Sequence, residues 1–264
     1  MHRKAIQHLR RCDPTLARVI EQVGPCGFEA RVEGSHFDAI VRAIVYQQLS
    51  GSAAFTIHSR LLNLYGGTPP LPAQLAATPD ETLRGVGLSR QKIAYLRDLA
   101  ARADSGALPV LRLHELEDAA VVEALTQVKG VGVWTAQMFL MFRLARPDVL
   151  PDLDLGIRKA IQRAYGLRKL PTVERIHRIG EKWQPYRTIA SWYLWRSLDQ
   201  KGAAGTPASR RQGGAPSGAS RRKPIARERV AREAVSGTRA PREGTARQRV
   251  TGKRAPRKRV TRKR

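Results

Sequence analysis

Cysteine, acidic charge and long apolar runs are what this 264-residue sequence has least of. Its only cysteines are Cys12 and Cys26. They can form at most one bridge and have no metal-ligand spacing, so ordinary thiols in a reducing compartment are expected, with no cysteine-bound cluster. His2, His8, His36, His58, His114 and His177 are equally scattered, and no metal site is expected from them. No segment supplies the roughly 18 consecutive apolar residues of a membrane span. The charged residues 1–11 hold no apolar run of secretory length. A soluble, cytoplasmic protein with no membrane partner is the expectation.

Acidic residues number 22 against 48 Lys and Arg, a formal net charge of +26. The imbalance is concentrated after residue 200, where 21 Lys and Arg meet three Glu and where Phe, Trp, Tyr, Leu and Met are absent. Such a segment cannot bury enough apolar area to offset chain entropy, so residues 201–264 are expected to form a disordered tail. Its echoes, Arg227-Glu228-Arg229-Val230, Arg247-Gln248-Arg249-Val250 and Arg257-Lys258-Arg259-Val260, are low-complexity repetition rather than a solenoid period. One reading is an inert solubility tail. The other, favoured by so one-signed a charge, is an arm that binds nucleic acid by neutralising phosphates. Residues 1–200 then form the folded domain, long enough for a sizeable core.

That domain reads as all-α, because its apolar residues recur at helical rather than strand spacing. Asp13-Pro14 looks like a cap with proline at the first helical position, leading Leu16, Val19 and Ile20 onto one face. A helix is expected over His36–Tyr46, and another through Ala53, Ile57, Leu61 and Leu64 to Gly66-Gly67. Residues 68–72 read as a proline-rich break. Thr78-Pro79-Asp80-Glu81 reads as the cap of a short helix ending at Gly85, and Gly87-Leu88-Ser89 as the start of the next. Helices are further expected over residues 116–119, 122–128, 133–142, 155–165, 173–179 and 188–198.

Between two of these patterns stands Lys129-Gly130-Val131-Gly132-Val133-Trp134-Thr135. Two glycines allow positive φ and a close backbone approach, and the following helix opens with unsatisfied N–H groups that suit a phosphate. Taken alone, the same residues could be only a tight helix–helix turn. A weaker second turn, Gly85-Val86-Gly87, reads as packing. Downstream, Leu150-Pro151-Asp152-Leu153-Asp154-Leu155-Gly156-Ile157-Arg158 brings Asp154 to a helix start, where it could be a plain N-cap.

Over residues 13–198 these motifs resemble the helix-hairpin-helix superfamily of DNA glycosylases, and within it the DNA-3-methyladenine glycosylase II branch, without that branch's amino-terminal β-rich domain. The resemblance implies a two-lobed all-α fold. It implies that Lys129, Gly130, Val131, Gly132 and Thr135 hold the DNA backbone and that Asp154, rather than Asp152, is catalytic. A carboxylate there would stabilise oxocarbenium character on the deoxyribose and direct water. Relatives that also cut the backbone carry a Schiff-base lysine where this chain has Trp134, so a monofunctional enzyme is implied. Trp134, Trp195 and Met138 are the implied base pocket, with stacking and cation–π attraction favouring a cationic alkylated base. For Trp183, Tyr186, Trp192 and Tyr193, core packing is expected.

Gln47, Gln48 and Leu49 fall where the family has a loop that plugs the gap left by a flipped nucleotide. Either Gln48 or Leu49 could be the wedge, and the glutamines could instead cap the helix before them. The expected partner is double-stranded DNA bearing alkylated bases, bound by a monomer at the nucleoid with no cofactor. Two rivals remain at this point: a bifunctional glycosylase and lyase acting on oxidised bases, and a non-catalytic basic DNA-binding protein.

Overall fold

The structure is a computed structural model that describes residues 2–32 and 34–199. The tail expected to be disordered and to bind DNA lies outside the described residues. Within them the chain forms α1 (Arg3–Cys12), α2 (Pro14–Val23), α3 (His36–Tyr46), α4 (Gly51–Asn63), α5 (Pro72–Ala77), α6 (Asp80–Gly85), α7 (Arg90–Asp104), α8 (Asp118–Thr126), α9 (Val133–Phe142), α10 (Leu155–Ala164), α11 (Val173–Gly180) and α12 (Arg187–Asp199). Two single 3-10 turns, Leu113–Glu115 and Glu181–Trp183, complete the set, and no strand occurs among the described residues. None of these helices is long and apolar enough to cross a membrane.

Most helices begin and end where the local chemistry says they should. Side chains of Asp13, Ser35, Ser50, Ser89, Asp154 and Thr172 cap α2, α3, α4, α7, α10 and α11. One helix was not foreseen and three expectations need correction. The charged start of the chain forms α1, which buries only Ala5 and Leu9. Pro72 starts α5 instead of breaking the chain, since proline at the first helical position lacks only an N–H that would be unpaired there anyway. Thr78 caps nothing at α6, whose N-cap is Pro79; its hydroxyl instead donates to the Gln74 carbonyl at the end of α5. The two short helices expected around residue 120 are the single helix α8.

The apolar faces meet in two cores. The first gathers residues from Phe37 to Val149, including Ile44, Leu61, Leu96, Leu125 and Leu140. The second joins α1 and α2 to α10–α12 through Leu9, Leu16, Ile20, Ile161, Trp183 and Tyr193. The chain thus starts in one lobe, builds the other, and returns, which gives the two-lobed architecture. Trp183, Trp192 and Tyr193 are buried in the second core and Tyr186 packs against it, as expected. Cys12 and Cys26 are free and half-buried.

Asp13 holds the returning lobe together. Its carboxylate accepts from the Thr15 and Leu16 amides at 3.0 and 3.2 Å, from Trp183 Nε1 at 2.8 Å and from the Tyr165 hydroxyl, with Lys182 Nζ at 3.2 Å. Burial alone would raise its pKa. The hydrogen bonds from Tyr165, Trp183 and Leu16 more than offset that and hold it below the ordinary carboxylate value. A folded pKa lower than the unfolded one means that this stabilisation is complete above the ordinary carboxylate range and is lost as pH falls through the lowered value. Asp13→Asn is therefore expected to cost roughly 2–4 kcal/mol at pH 7. Urea unfolding of both proteins should show that cost shrinking below about pH 4; a pH-independent gap would contradict the ionic role.

Candidate active site

The hairpin between α8 and α9 is anchored from below and open at its tip. Val131 is 5% exposed in the first core and its N–H goes to the Val128 carbonyl at 3.0 Å, so its side chain fastens the hairpin from within. The Lys129 amide donates to Asp98 Oδ2 at 2.9 Å, and its exposed ammonium lies 4.0 Å from Asp98 Oδ1. Only Gly130 has positive φ, +79°, and a Cβ there would lie 2.1 Å from the Tyr95 ring. Gly132, with φ −96°, is extended instead, and its surroundings are open. Its role is to keep side-chain bulk away from the start of α9. That helix opens with neither a side-chain cap nor an acidic first turn. The amides of Val133, Trp134 and Thr135 consequently have no partner in the helix.

From the first turn of α9 the Trp134 indole reaches Asp154, its Nε1 donating to Oδ2 at 2.8 Å. Asp154 Oδ1 accepts from the Ile157 amide at 2.7 Å, which is the N-cap of α10, and from Trp195 Nε1 at 2.8 Å. Capping and the convergence of two tryptophans on one carboxylate therefore coexist. Trp134 is 45% exposed, whereas Trp195 is half-buried, stacks on Phe142 at 6.2 Å and 25°, and packs against both cores. Met138 lies one turn beyond Trp134, half-buried against the first core. Asp152 takes no part: its Oδ2 pairs with His177 Nε2 at 2.7 Å.

The loop after α3 lies beside the hairpin. Gln47 Nε2 donates to the Gly130 carbonyl at 2.9 Å, so its side chain does not cap α3. Lys92 Nζ does that, donating to the carbonyls of Val45 and Gln47 at 2.6 and 2.7 Å. Gln48 has φ +57°, rare for a residue with a side chain, and is exposed; Leu49 is 38% exposed. The second glycine turn packs as expected, with Val86 buried and Gly87 against Ile57.

The family model for HhH-GPD superfamily base excision DNA repair proteins matches residues 41–185. The chain belongs to that superfamily. DNA-3-methyladenine glycosylase 1 of Schizosaccharomyces pombe is 34% identical over 197 residues, covering 74% of this chain and 86% of the relative. The alkylbase DNA glycosidase-like protein mag2 of the same yeast is 30% identical, over 76% of this chain and 97% of the relative. Among solved structures, the S. pombe 3-methyladenine DNA glycosylase in complex with abasic DNA matches with TM-score 0.68 and 33% identity, covering 75% of this chain and 98% of that one. A Bacillus halodurans DNA-3-methyladenine glycosidase matches with TM-score 0.67 and 36% identity, over 74% and 89% of the two chains.

One HhH-GPD site residue escaped sequence reasoning. A Cβ on Gly156 would stand 2.9 Å from Asp154 Oδ1 and 3.0 Å from Trp195 Cδ1, so glycine is what lets the indole close on the carboxylate. A glycine in the first turn of a helix, where alanine would serve helix formation better, is the signal that could have flagged it. Gly156→Ala should forfeit the usual gain of about 0.5–1 kcal/mol and lose stability instead, with altered near-ultraviolet circular dichroism from Trp195. A higher melting temperature with an unchanged spectrum would refute this close contact.

Proposed function

We propose that this chain is a monofunctional DNA glycosylase that flips an alkylated purine of the 3-methyladenine type from double-stranded DNA and hydrolyses its N-glycosidic bond. It acts as a monomer at the nucleoid, with no cofactor. The observation that carries this reading is Asp154, a carboxylate bracketed by two indole N–H groups in a chain whose relatives are named for that reaction.

In this reaction the C1′–N bond breaks and its electron pair leaves with the base, neutralising the positive charge that alkylation placed there. Oxocarbenium character develops on the deoxyribose beside Asp154, whose carboxylate stabilises it. Water then bonds to C1′ and gives up its proton to the carboxylate or to solvent, leaving an abasic site. The exposed Trp134 ring offers a stacking face worth about 0.5–2 kcal/mol to a cationic base, with Trp195 and Met138 behind it. The first amides of α9, together with Lys129 and Thr135, hold a backbone phosphate. Gln48 plugs the vacated stack, displayed by its positive φ, while the Gln47 amide is committed to Gly130 and Leu49 flanks it. Trp134 itself argues against a Schiff-base lyase, because an indole cannot act as an amine nucleophile.

Asp154→Asn removes the charge and one acceptor while keeping the cap, since asparagine caps a helix about as well as aspartate. It should retain folding and DNA binding and lose roughly 100-fold or more in single-turnover base release from methylated DNA. Borohydride should trap no covalent adduct with the wild type. Equal release by both proteins would remove Asp154 from the chemistry, and no release by folded wild type would leave a DNA-binding protein.

The basic segment 201–264 acts in the same proposal as a backbone-binding arm. Its deletion should weaken binding and lower the slope of log affinity against log salt by about 0.9 for each phosphate released. An unchanged slope would make it a bystander.

A further inference from the structure

Plugging a duplex and gripping its backbone succeed together only if the two elements meet the DNA at a fixed spacing. One stripe of α7 touches both. Lys92 holds the loop by the carbonyls of Val45 and Gln47, at 2.6 and 2.7 Å. One turn later the Tyr95 ring lies directly against Gly130, closer than any side chain there would allow. After another turn, Asp98 accepts the Lys129 amide at 2.9 Å. The Gln47 side chain closes the circuit by donating to the Gly130 carbonyl at 2.9 Å.

Lys92 is the costly member of this circuit. Its ammonium is partly desolvated, which lowers its pKa from the usual lysine value. It pairs with no carboxylate among the described residues. Water could satisfy the last carbonyls of a helix end without desolvating an ammonium. What water cannot do is fix a loop against a neighbouring helix.

We propose that Lys92 and Gln47 are positioning residues that lock the loop Gln47-Gln48-Leu49 to the Gly130 hairpin, so that the plug enters the duplex in register with the backbone grip. The proposal rests on the glycosylase reading above, and it makes the lock matter only when a base must be drawn out of an intact stack.

The test compares single-turnover release of 7-methylguanine from two DNAs, one with the lesion paired to cytosine in a duplex and one with it unpaired in a one-nucleotide bulge. For Lys92→Met the paired substrate should slow by roughly tenfold or more, because small misplacements of catalytic geometry are costly, while the bulged one changes by less than about twofold. Lys92→Arg, whose guanidinium can still donate to both carbonyls, should recover most of the paired rate. Gln47→Ala, a change at the partly exposed far end of the lock, should produce the same selective loss to a smaller degree, and it stands as the test if Lys92→Met does not fold. Equal slowing on both DNAs, or none on either, overturns the lock while leaving the glycosylase reading intact. Wild type that releases neither 7-methylguanine from these DNAs nor 3-methyladenine from methylated DNA removes that reading, and the lock falls with it.

Discussion

Asp154 is held by N–H groups that reach it from three helices, and the placement of those helices accounts for most of the domain. Trp134 comes from α9, Ile157 from α10 and Trp195 from α12. The first of these helices belongs to one core and the other two to the second, so the carboxylate finds all its donors only when the lobes are docked. Trp195 and Phe142, stacked on each other and packed against both cores, form the seam. Arg143 fastens the segment that crosses it, donating to the carbonyls of Arg31 and Gly34 and to His36 Nδ1 at 3.0 Å. Burial and the Arg143 charge lower the His36 pKa, which favours the neutral ring that this hydrogen bond needs.

The hairpin follows a different logic. Its backbone must come close to a neighbour on one side and stay bare on the other. Gly130 meets the first demand, with positive φ and the Tyr95 ring in van der Waals contact. Gly132 meets the second, with extended backbone and empty space where a Cβ would be. Two glycines that look equivalent in the sequence therefore have unrelated physical reasons. Val131 between them anchors the turn from within, buried in the first core.

Features that depend on neighbours in the chain were legible in the sequence. The helix His36–Tyr46 has its exact expected bounds, and the caps at Asp13 and Asp154 and the buried role of Trp183 and Tyr193 follow from local pattern and residue type. What stayed hidden depends on distant partners. Asp13 reads as a simple cap because Tyr165 and Trp183 are about 150 and 170 residues away. Gly156 reads as a weak helix residue because Trp195, the reason for it, lies beyond α11 and a 3-10 turn. The helix α1 was missed because an isolated pair, Ala5 and Leu9, is too narrow a stripe to stand out among charges.

Several departures from local preference lie at the loop after α3, at the hairpin and at the start of α9, although others, such as Ala145 with φ +54°, lie elsewhere. Gln48 adopts a backbone conformation that would suit glycine or asparagine better, a strain of about 1–3 kcal/mol. The amides at the start of α9 are left uncapped, Trp134 leaves a large apolar ring 45% exposed, and Lys92 is partly desolvated with no carboxylate paired to it among the described residues. Each departure taken singly weakens the folded state. Trp134 touches Asp154 and the others adjoin the hairpin, while the helices α2 and α11 of the second core keep to ordinary packing and caps. A sequence under no demand beyond folding would have relaxed them, for instance with glycine at position 48 or serine at 132.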